Sequence, residues 1–137
     1  MTQRFAEGQN YSIDLEGSIA VCKVWVRRDL TFATGAALAT QKVALFQSLA
    51  RGKTAAMVLD LSEAPTVTGP KTQGAMGEML ASFQHASKPV AVVASAHSIQ
   101  QLQLRRLIAA FAPTQGALFA SREEALAWVE SRMPPPR

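Results

Sequence analysis

The sequence is poor in the residues that announce chemistry. It has one cysteine, Cys22, and two separated histidines, His85 and His97. A single cysteine excludes an internal disulfide and fits a reducing compartment. One Cys and two distant His also argue against a structural zinc site, so no metal is expected. Cys22 lies in the apolar-rich run 19–26 and reads as a small buried hydrophobe rather than a reactive thiol. Apolar runs long enough to span a bilayer are missing, and the opening MTQRFAEGQN lacks the charged-then-apolar order of a signal peptide. The cytoplasm is therefore the expected location. Glycine-rich phosphate loops are missing too: neither GxGxxG nor GxxxxGKS/T occurs, and there is no GxSxG elbow. No cofactor is expected. The net charge is only +4 and comes from scattered pairs such as Arg27-Arg28 and Arg105-Arg106. A nucleic-acid binder would carry a denser basic stripe with interleaved aromatics, so nucleic acid is not an expected partner.

What is present is a globular pattern. With 137 residues, 48% hydrophobic and 18% charged, the chain has the size and balance of one soluble domain. The expected core is 11–129, with 1–10 and 133–137 as flexible tails. Residues 11–15 alternate as a half-buried strand, Glu16-Gly17 turns, and 18–26 form a longer strand, together an antiparallel hairpin. On the second strand Ala20, Cys22, Val24 and Val26 share a wholly apolar face that should meet the core.

Asp29, Thr31 and Thr34 are each plausible caps for a helix from about 33 to 51, with Gly52 as its stop. Leu38, Leu45, Phe46 and Leu49 form its apolar stripe, and Gln41, Lys42, Gln47 and Ser48 read as lying mostly outside it. Residues 55–61 are apolar on both faces, as expected of an interior strand. A threonine-rich turn leads to a helix from about Lys71, striped by Met76, Met79, Leu80 and Phe83, in which Gly74 and Gly77 permit close packing. A strand at 90–94, a helix at 99–111 striped by Leu104, Leu107, Ile108 and Phe111, a strand at 117–119 and a helix opened by a Ser121–Glu124 capping box complete the pattern. The fold class is α/β: a small mixed sheet, antiparallel hairpin first and parallel β-α units after, covered by four helices.

The stretch 57–69, MVLDLSEAPTVTG, organises this chain, because function in open α/β sheets sits at the carboxyl ends of strands. Thr66, Thr68 and Thr72 surround the expected start of a helix, where free N–H groups favour an anion. Lys71 is unusual there, since a cation opposes the helix dipole. Thr68 or Thr72 serves either as a helix cap or as a phosphorylation site that alters a docking surface. His97, on a turn after a strand, and Asp60, near the end of a neighbouring strand, are the one pair that suggests catalysis. His85, late in a helix, suits the dipole instead. The chain reads as non-enzymatic.

Three segments resemble the STAS family, the anti-sigma-factor antagonist-like domains. MVLDLSEAPTVTG looks like the family's central strand and regulatory turn, KPVAVVAS like its next strand, and FAPTQGALFASREEALAWV like its ending. The likeness runs from Tyr11 to Val129. It implies a regulatory protein–protein interaction module, with a regulatory kinase or anti-sigma-type protein as partner. The docking surface would comprise Ser62, Glu63, Thr66, Thr68, Lys71 and Thr72. Phosphorylatable members carry Asp-Ser and a glycine in the turn; here those positions fall near Thr68, Gly69 and Pro70. Thr68 is the nearest phosphoacceptor, followed by Thr66 and Thr72. LRRLIAAFAP and EEALAWV resemble instead a divergent branch related to lipid-binding SEC14-like domains, which implies a small-ligand or lipid site as the alternative. That alternative predicts an apolar cavity under the second or third helix. Exposure of Trp25 and Phe32 would suit a homodimer.

Overall fold

In the computed structural model of the chain, residues 2–66 and 68–133 are described, Phe32 through its backbone alone. The expected tail residues 134–137 and any exposure of the Phe32 side chain lie outside the described residues. Ten elements follow in order: β1 (Thr2–Glu7), β2 (Tyr11–Glu16), β3 (Ile19–Trp25), α1 (Phe32–Arg51), β4 (Ala56–Glu63), α2 (Pro70–His85), β5 (Val90–Val93), α3 (Ser98–Phe111), β6 (Gly116–Phe119) and α4 (Arg122–Arg132). They form one six-stranded sheet in the order β1-β2-β3-β4-β5-β6. The first three strands pair antiparallel and the rest parallel. The mixed α/β fold read from the sequence is the fold observed.

One segment differs from expectation. Residues 2–7, read as tail, are an antiparallel edge strand on β2. The strand is mostly exposed, so its sequence carries no apolar alternation to announce it. It is held by backbone pairing, by Arg4 on Asp14 and Glu7, and by a turn in which Gly8 donates to the Tyr11 carbonyl. A Cβ at Gly8 would overlap the Tyr11 ring, so glycine is required there by close approach.

The sequential strand order decides where the helices go. Right-handed crossovers that always step in the same direction place their helices on one face. That face carries the larger core, built from Ala20, Cys22, Met57, Leu59, Val90 and Val92 against α1, α2 and α3. Phe46 of α1 and Phe83 of α2 meet edge to face there, 6.1 Å between ring centres. Gly77 lets α2 approach α3: a Cβ would lie 2.6 Å from the Phe111 ring. Gly74 faces open space and plays no such part. After β6 no further strand follows, and α4 crosses to the other face, where Ala125 and Val129 cover Val21, Val58 and Val93. Its capping Ser121 accepts from the Glu124 amide, as the capping box predicts. Val26, expected in the core, is 51% exposed because β3 has already ended at Trp25.

α1 ends without the positive φ expected of its glycine: Gly52 has φ −92°. The Lys88 ammonium satisfies the end instead, donating to the Ala50 and Gly52 carbonyls at 2.6 and 3.0 Å.

Candidate functional site

The site is built around the carboxyl end of β4. Alternation along that strand sends Leu59 and Leu61 toward α1–α3 and Asp60 to the face of α4. There the Asp60 carboxylate accepts from the Ser62 amide and hydroxyl (3.0 and 2.6 Å) and from the Arg122 guanidinium (2.9 and 3.2 Å). Burial pushes the Asp60 carboxyl up, but the Ser62 and Arg122 donors together outweigh it and hold the pKa below the usual carboxylate range. Asp60 therefore joins the start of α4 to the end of β4. His97 lies at the N-cap of α3, exposed, and its side chain makes no hydrogen bond to Asp60 among the described residues. Among the described residues no hydrogen bond or ion pair joins the two residues that suggested catalysis.

The threonine-rich turn differs from both forms expected of it. Pro70 is the first residue of α2, where a missing N–H costs nothing, and Gly69 is the N-cap with no side-chain cap bond. Neither Thr68 nor Thr72 caps the helix. The Thr68 carbonyl accepts from the Gln73 side chain, while its hydroxyl is buried and has no partner among the described residues. Thr66 and Thr72 are half-buried, and Ser62, Glu63 and Lys71 are exposed. Glu63 pairs with Lys23 at 2.5 Å on the surface.

Thr68 is one of the residues lining a cavity of about 200 Å³. It lies between the ends of β3 and β4 and the helices α1, α2 and α3, with walls that include Val24, Leu59, Leu61, Met76, Met79 and Leu104. Trp25, expected at the surface, is half-buried at its rim. Three polar side chains among its lining residues are anomalous. The Asn10 side-chain oxygen and the Thr68 hydroxyl are buried without a partner among the described residues. Lys42, from α1, is only 5% exposed and joins no ion pair among the described residues. Its ammonium stands 5.1 Å from the centre of the Tyr11 ring, a cation–π contact. Burial pulls the Lys42 pKa below its ordinary value, with Cys22 opposing weakly. Burial likewise pushes the neighbouring Cys22 thiol up to about 12, which makes it the inert core residue expected.

Lys42 sits where the sequence reading placed a solvated residue. The signal was there: position 42 is one turn from Leu38 and one from Phe46, inside the apolar stripe. Gln100, one turn before Leu104 and not singled out in the sequence, carries the same positional signal and is 4% exposed. Its amide nitrogen donates to the Leu61 carbonyl, and its oxygen accepts from the Ser95 amide and hydroxyl, clamping the end of β4 to the β5–α3 turn. Asn10 carried no such signal, because the pairing of β1 brings it in.

A buried ammonium without a carboxylate is a standing cost to the fold. Because the folded pKa of Lys42 is lowered, the unfolded chain holds the proton longer as pH rises. Stability contributed by this group therefore increases with pH between the lowered value and about 10.4, the ordinary one. Lys42→Met should melt at a higher temperature than the wild type at pH 7. The stability difference between the two proteins should shrink as pH rises. Thermal melts across that range check both, and a less stable methionine variant would contradict the account.

No protein-family model matches this chain, and no curated protein matches it in sequence. Its fold is similar to that of the protein TM1081, solved by NMR: TM-score 0.60, 14% sequence identity, 92% of this chain and 93% of that chain covered. At that identity the likeness is one of fold.

Proposed function

We propose that this protein is a non-enzymatic regulatory module that docks a protein partner through the β4–α2 turn and the first turn of α2. The observation that carries the reading is the presentation of this turn. It is clamped by Gln100 and Asp60 at the strand end, yet Ser62, Glu63, Pro65, Pro70 and Lys71 all remain exposed along it. A rigid frame with an exposed polar segment suits recognition by another protein. The resemblance to anti-sigma-factor antagonists supports the same reading, and the fold shared with TM1081 agrees with the architecture that resemblance implies. The partner would then be a regulatory kinase or an anti-sigma-type protein. Phosphate on Thr68 would require the turn to open, because the hydroxyl points inward; Thr66 and Thr72 are the more accessible acceptors.

Incubation with cell lysate and ATP, followed by mass-spectrometric mapping, should place phosphate on Thr66, Thr68 or Thr72. A turn without phosphate removes the switch. Cross-linking of the wild type and of Lys71→Glu tests the docking itself: identical cross-linked partners for both would refute it.

A second reading, a small-ligand site, is favoured by the cavity beneath α2, which the alternative resemblance anticipates.

A further inference from the structure

We propose that the cavity between the sheet and α1–α3 binds a small apolar carboxylate, with the acid group paired to the Lys42 ammonium. The proposal rests on the small-ligand reading and specifies its chemistry.

Charge sets the head group. Lys42 and Arg27 are the cations lining the cavity, and Arg27 is engaged by the Asp29 carboxylate at 2.5 and 3.0 Å. Among the described residues Lys42 has no counter-charge; the residue is 5% exposed and its ammonium stands over the Tyr11 ring. A single negative charge would neutralise it, whereas a phosphate dianion would bury an excess charge at high cost. The Thr68 hydroxyl, buried and without a partner among the described residues, is able to donate to a carboxylate oxygen once a ligand reaches it. A buried lysine without a counter-charge and a hydroxyl without a partner, both among the described residues, belong to the lining of this one cavity.

The walls set the rest of the molecule. Leu59, Leu61, Met76, Met79 and Leu104 offer apolar surface and no further charge. An apolar cavity of about 150 Å³ accepts benzene. The 200 Å³ here admits a ring or short chain with one carboxylate, in the size class of benzoate or octanoate. Methionines on α2 suit such a ligand because their unbranched side chains adapt to its shape.

Calorimetric titration of the full chain with octanoate and benzoate, each beside its neutral alcohol (octanol, benzyl alcohol), tests the proposal. At least one carboxylate should bind about tenfold or more tightly than its alcohol, since a hydrogen bond to a charged group is at stake. Lys42→Met should weaken that carboxylate by about ten- to a hundredfold and leave the alcohol within about twofold. Lys42→Gln, of similar length, should behave like Lys42→Met, and melting curves establish that both variants are folded. A preference for octanoate over benzoate, or the reverse, would support the proposal and tell an aliphatic source from an aromatic one. Equal binding of acid and alcohol, or undiminished carboxylate binding by both folded variants, would overturn the carboxylate and leave the small-ligand reading standing. Binding of none of the four compounds would overturn both.

Discussion

Gln100→Ala should lower the free energy of unfolding by about 2–4 kcal/mol, the largest loss expected from any single polar side chain in the protein. Gln100 is 4% exposed and serves three groups: the Leu61 carbonyl, the Ser95 amide and the Ser95 hydroxyl. Alanine leaves the Ser95 amide without this acceptor in a half-buried turn and takes from Leu61 one of its two donors, the Ala64 amide remaining. Each buried group left unsatisfied costs about 1–3 kcal/mol. The variant also opens the seam between α3 and the end of β4, which forms one wall of the cavity. Urea denaturation should show a lower midpoint with an unchanged slope. Gln100→Glu is the informative companion: an ionised carboxylate still accepts from Ser95 but cannot donate to Leu61. A loss below about 0.5 kcal/mol for alanine, no more than an ordinary surface substitution, would mean the clamp is not structural.

Asp60→Ala should cost about 2–3 kcal/mol at neutral pH, because four hydrogen bonds converge on one carboxylate whose side chain is 8% exposed. Arg122 is 41% exposed and can return to water, which keeps the cost below that of a fully buried pair. Arg122→Ala should therefore be milder than Asp60→Ala, since Asp60 keeps both bonds from Ser62. The pH dependence has a definite sign. The folded pKa of Asp60 is lowered, so its contribution is complete above the unfolded value of about 4 and is lost as pH falls through the folded value. The wild type should lose stability in acid more steeply than Asp60→Ala, and the two curves should converge at low pH. Parallel curves would mean that Asp60 does not carry the acid sensitivity assigned to it.

Much of the fold was legible because burial writes itself into residue periodicity. The stripes Met76-Met79-Leu80-Phe83 and Leu38-Phe46-Leu49 follow from helices packed on one face, and the unbroken apolar runs of β4 and β5 from a sheet covered on both, so neither needs a partner to be recognised. β1 escaped notice because an edge strand is stabilised by backbone pairing, to which its side chains contribute little. At the site the order of difficulty is reversed. Thr68 was singled out, but whether its hydroxyl pointed outward as an acceptor or inward to a cavity depended on where α1 and α3 would lie. Lys42 stood in an apolar stripe and was read by residue type instead of by position, since a long polar side chain is ordinarily solvated, and Gln100, in the stripe of α3, was not singled out.

The sequence by itself determined the α/β class, the element order and the two-faced interior strands, because these depend on local periodicity and chain order. The direction in which Asp60 points and the meeting of Asn10, Lys42 and Thr68 at one cavity were decided only by tertiary structure. They depend on sequential strand order placing three helices on one face and α4 on the other. Residues 32 and 58 positions from Asn10 become neighbours through that stacking, and no local pattern encodes a contact between such distant segments.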